Sequence, residues 1–81
     1  MNARRERFEA LRAVLAPLVE EVLATGETRV AKTTYLAPWM DLAAVFEDIE
    51  RGIQAVTWGR PVEGYITCFE RYAYVVLRST R

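Results

Sequence analysis

The apolar positions form two stripes at helical spacing, followed by a stretch that abandons it. In the first stripe Phe8, Leu11, Leu15, Leu18 and Val22 recur three and four residues apart, with Val14, Val19 and Leu23 widening it. On a 3.6-residue period these share one side, which predicts an amphipathic helix over residues 3–24. Pro17 lies inside the stripe. It has no N–H for the carbonyl four residues back and its ring crowds that turn, so a kink or break near Ala16 is expected. Gly26 is the expected stop. The second stripe is Trp39, Leu42, Phe46, Ile49 and Ile53, opened by Pro38, flanked by Val45 and read as closing at Gly52. Asp41 near its start and Arg51 near its end have the signs that a helix dipole favours. Each stripe needs cover, so Trp39, Phe46 and Ile49 are expected to pack on Leu15, Leu18 and Val22.

Between the stripes, residues 27–37 (ETRVAKTTYLA) are rich in β-branched and aromatic types and read as a half-exposed strand. After Gly52 the run IQAVTW, ending at Gly59-Arg60-Pro61, reads as a short strand before a turn. Residues 65–69 and 72–78 read as two more strands joined tightly at Glu70-Arg71. The alternative for 65–78 is a helix carrying Thr67, Arg71, Tyr74 and Arg78 on one polar stripe. The expected architecture is α+β in the order α-β-α-β-β-β. Two amphipathic helices pack on one face of a small, mostly antiparallel sheet, and residues 1–81 make one domain.

Composition supports a folded chain. Hydrophobic types make up 52% of 81 residues, including two tryptophans, four tyrosines and three phenylalanines, too many for a disordered segment. Eleven basic and eleven acidic residues cancel, so the chain lacks the overall basic field that suits nucleic acid. Charge is nonetheless segregated. Arg4, Arg5, Arg7 and Arg12 make the first twelve residues basic, and Asp41, Glu47, Asp48 and Glu50 make residues 38–51 acidic. Ordinary solvated helix faces are the alternative reading of both. Ten of the eleven basic residues are arginine, whose planar fork suits carboxylates and phosphates.

Candidate chemistry is sparse. With no histidine in the chain, the commonest general base and transition-metal ligand is missing, and one cysteine cannot build a zinc site. Cys68, beside Ile66 in an inward strand position, reads as a small buried hydrophobe. A lone cysteine also fits a reducing cytosol, and no signal peptide or membrane span is read. The glycines make no phosphate-cradling spacing. The expectation is a non-enzyme with no cofactor and no metal. Two surfaces remain as candidates for binding another protein or a nucleoprotein complex. One is the acidic side of the second helix, with Asp41, Glu47 and Asp48. The other is a sheet surface with Arg60, Arg71, Arg78 and Arg81 interleaved with Tyr65, Tyr72 and Tyr74, which also suits direct contact with nucleic acid. The wide apolar arc of the first helix, from Val14 to Leu23, leads to an expected homodimer through paired helices.

The acidic run Phe46-Glu47-Asp48-Ile49-Glu50, the small α+β unit and the opposed charge patches resemble small phage-encoded inhibitors of the anti-CRISPR type. The resemblance spans the whole chain in style and rests on no specific motif. It implies a host nucleic-acid-binding machine as partner and inhibition by steric blockade. The rival expectations are a nucleic-acid-binding domain and a homo-oligomeric structural subunit.

Overall fold

The first apolar stripe does form a helix, α1 (Ala3–Thr25), in a computed structural model that describes residues 3–81. Leu15, Val19 and Val22 are fully buried, while Leu11, Leu18 and Leu23 pack at the margin of the core. Pro17 does not break it. Ala13 and Pro17 are both exposed, so the carbonyl that loses its donor faces water, which can replace the missing bond. The helix ends where Gly26 donates its N–H to the Val22 carbonyl at 2.8 Å.

After β1 (Arg29–Tyr35), the second helix starts later and ends later than the sequence suggests. Asp41 caps α2 (Leu42–Thr57) by accepting a 3.2 Å hydrogen bond from the Ala44 N–H. Residues 38–40 form a turn, and Trp39 stands outside the helix, 84% exposed. Trp39 therefore takes no part in the core contact expected of it; Ile49 does, and Phe46 joins at the margin. Gly52 does not close α2. A Cβ there would lie 2.5 Å from Leu11 Cδ2, so glycine is what lets the two helices approach. Ile49, Ile53 and Val56 then carry the helical spacing through the IQAVTW run, and the strand expected there is the end of α2.

Residues 62–79 fold back as a hairpin of β2 (Val62–Phe69) and β3 (Tyr72–Ser79), which excludes the helical alternative. The sheet is antiparallel with order β1-β3-β2, so the element order is α-β-α-β-β with three strands. A bulge interrupts β1 between Lys32 and Thr34, and the Thr33 hydroxyl donates to the Ala73 carbonyl at 2.8 Å. β3 is central, and Ala73, Val75 and Leu77 on it are fully buried among Leu15, Val19, Val22, Ile49 and Ile53. α1 and α2 pack on each other, α2 on β2, and α1 reaches all three strands. Cys68 pairs with Ala73 in register but is exposed, contrary to expectation, because it lies at the turn end of the edge strand.

The hairpin turn carries backbone strain. Glu70 and Arg71 have φ of 47° and 65°, the left-handed geometry of a two-residue turn that asparagine and glycine adopt more cheaply. Glu70→Asn with Arg71→Gly should raise stability by about 1 kcal/mol, or about 4–8 °C in Tm. An unchanged thermal melt would refute that strain. For the core, Leu15→Ala should cost about 2–5 kcal/mol, whereas Trp39→Ala should stay within about 0.5 kcal/mol. Chemical denaturation of the two variants checks both values.

Candidate functional site

The acidic candidate is assembled largely into internal contacts. Asp41 is used as the cap of α2. Glu47 accepts from Arg51 Nη2 at 2.6 Å, one turn along the same helix. Asp48 Oδ1 accepts from Arg4 Nε at 2.8 Å and Nη2 at 2.6 Å, and Arg7 Nη2 lies 4.0 Å from Oδ2. The basic start of α1 and the acidic side of α2 are therefore each other's partners. Hydrogen bonding to Asp48, and then its charge, raise the Arg4 pKa above its ordinary value. A raised arginine pKa adds stability that is lost only in strong alkali, so Arg4 brings no pH dependence near neutrality. Glu20 and Arg60 form a further bridge, paired through both oxygens at 3.0 and 3.1 Å.

The sheet candidate is organised by register. Val30, Tyr65 and Val76 line up across the three strands, as do Lys32, Thr67 and Tyr74, and then Tyr35, Phe69 and Tyr72. Alternation puts all nine on the side opposite Ala73, Val75 and Leu77. Val30 is 57% exposed, Tyr35 45%, Tyr65 49% and Phe69 64%; Tyr72 and Tyr74 are half-buried in the central strand. The Tyr35 and Tyr72 rings meet edge to face at 5.4 Å, and Lys32 Nζ sits 3.8 Å over the Tyr72 ring. Glu63 and Arg78 close one end of this side as an ion pair.

Of the five residues singled out from sequence, three lie on or beside α2 and two belong to the hairpin. Tyr74 stands in the middle of the aromatic sheet side, and Arg71 in the strained turn at its end. Tyr65 and Tyr72 of the expected sheet surface lie on this side with Tyr74, whereas Val30, Tyr35 and Phe69 are additions that only the register reveals, although the alternation Tyr65-x-Thr67-x-Phe69 marks one side of a strand. Trp58, like Trp39, is exposed (85%), just past the end of α2.

A groove of about 260 Å³ runs between α1, α2 and the bulge of β1, lined by Phe8, Leu11, Val14 and Ile49 with Arg7 and Asp48. It falls below the roughly 300–1,000 Å³ typical of small-molecule sites. Among the described residues, no helix is long and apolar enough to cross a membrane. Compared with protein-family models, with curated proteins and with solved structures, the chain matches none of them.

Because the Arg4–Asp48 bridge is solvent-accessible on both sides, its contribution should be small. Asp48→Asn is expected to lower stability by less than about 1 kcal/mol, and molar salt should erase the difference. A larger loss that persists in high salt would show that the bridge holds the helices together.

Proposed function

We propose that the chain is a non-enzymatic protein-binding module whose contact surface is the aromatic side of the sheet, with both helices covering the other side. The observation that carries this reading is the joint exposure of Val30 and Tyr35 on β1 and of Tyr65 and Phe69 on β2, on one side of the sheet and flanking the central strand. Large side chains with few rotatable bonds offer much contact area at low entropic cost, which is why tyrosine recurs at binding hot spots. The acidic side of α2 is the weaker candidate, because Asp48, Glu47 and Asp41 already have intramolecular partners. A protein surface fits better than nucleic acid. Of the two cations on the sheet side, Arg78 is paired with Glu63 and Lys32 lies over Tyr72, which leaves little free charge for phosphates. Occupying a partner's working surface would block it sterically, and a nucleic-acid-binding machine is the partner class that the resemblance to phage inhibitors implies.

The test compares variants for binding to a partner purified from host extract. Tyr35→Ser with Phe69→Ser should weaken binding at least tenfold, or about 1.4 kcal/mol. Glu47→Gln with Glu50→Gln should leave it unchanged. The opposite pattern would return the contact to the acidic helix. Salt-sensitive retention of single-stranded nucleic acid by the wild-type chain, lost in the first variant, would favour the nucleic-acid reading.

A further inference from the structure

The two edges of the sheet are built differently. β1 carries the devices that stop an edge from pairing: a bulge at Thr33, whose hydroxyl turns in to Ala73, and the charge of Lys32. β2 carries none from Gly64 to Phe69. That stretch is regular against β3, holds no charge and no proline, and leaves Tyr65, Thr67, Cys68 and Phe69 exposed. The two-residue turn makes Phe69 and Tyr72 a hydrogen-bonded pair, so alternation directs the N–H and C=O of Gly64, Ile66 and Cys68 away from β3. A row of unpaired donors and acceptors on a flat, uncharged strand is a template for another strand.

We infer that this edge pairs with a second copy of the chain, β2 against β2 in antiparallel sense about a two-fold axis through Thr67. The strand is self-complementary in that register. Thr67 meets Thr67, a favourable cross-strand pair, and the exposed Tyr65 lies opposite the second copy's Phe69. Glu63, which is paired with Arg78 in its own chain, lies opposite the second copy's Arg71, and the arrangement repeats on both sides of the axis. Two three-stranded sheets become one of six strands, and the aromatic side proposed above is doubled. This inference places the expected dimer on β2, not on paired α1 helices, and does not depend on the identity of any other partner.

Sedimentation equilibrium at high micromolar concentration should give twice the 9.3 kDa chain mass. Thr67→Lys sets two like charges against each other on the axis and should weaken dimerisation at least tenfold while the circular dichroism spectrum is retained. A monomeric wild type, or a Thr67→Lys variant that dimerises normally, overturns the inference. A second variant covers the chance that lysine disturbs folding. Thr67→Cys with Cys68→Ser should form a cross-chain disulfide under mild oxidation, because a non-hydrogen-bonded pair on the axis brings the two Cβ atoms within bonding reach. Cross-linking no faster than that of Glu50→Cys with Cys68→Ser would overturn it as well.

Discussion

The fold depends on β3, the strand that has hydrogen-bonded neighbours on both sides and supplies the most deeply buried part of the sheet. Ala73, Val75 and Leu77 are shielded by Leu15, Val19 and Val22 from α1 and by Ile49 and Ile53 from α2. These residues come from α1, α2 and β3, so the core closes only with both helices and the hairpin together. The approach of α1 to α2 depends in turn on the bare Cα of Gly52 beneath Leu11. In a chain this short the enclosed core is small, and much of the remaining apolar and aromatic surface stays outside it.

Charge plays a different part from the one its segregation suggests. Basic residues at the start of α1 and acidic residues on α2 are separated by more than forty positions in sequence, yet Arg4, Arg7 and Asp48 meet in space. Exposed bridges of this kind contribute little stability, but they align two helices that already touch through Leu11 and Gly52. They also consume much of the field that an acidic docking surface would need. The outer side of the sheet is by contrast almost neutral, with Glu63 paired to Arg78 and Lys32 over the Tyr72 ring.

Much of the fold was legible in the sequence, and the failures have physical causes. The helical stripes of α1 and α2, a strand within residues 27–37 and the hairpin bend at Glu70-Arg71 follow from spacing and β-propensity. Gly52 misled because glycine both ends helices and permits close packing, and only the position of Leu11 decides between those uses. Treating it as a stop turned Ile53–Thr57 into a false strand. Trp39 misled because it continues the helical spacing on the wrong side of the Asp41 cap. Pro17 misled because its cost depends on whether the freed carbonyl meets water. The pairing of Asp48 with Arg4 is a tertiary fact that no local pattern announces. The tyrosines at 65, 72 and 74 were legible as one sheet surface, but Val30 and Tyr35 join them only through the register of β1 against β3.

The composition of that outer side bears on how it can be both exposed and specific. Had Leu and Ile filled these positions, the sheet would have offered a second core surface and a strong drive to aggregate. Tyrosines instead keep a hydroxyl available to water while presenting an apolar ring. Within the row, the Tyr72 ring is held from one side by the edge of Tyr35 and from above by Lys32. At Tyr72, therefore, little rotamer freedom would remain to be lost on contact with a partner. The aliphatic pair Val30 and Val76 lies against Tyr65 at the other end and needs no orientation at all. Rigidity without a hydrophobic collapse is what the proposed docking role asks of this side, and Tyr35, Lys32 and Tyr72 supply it at one end.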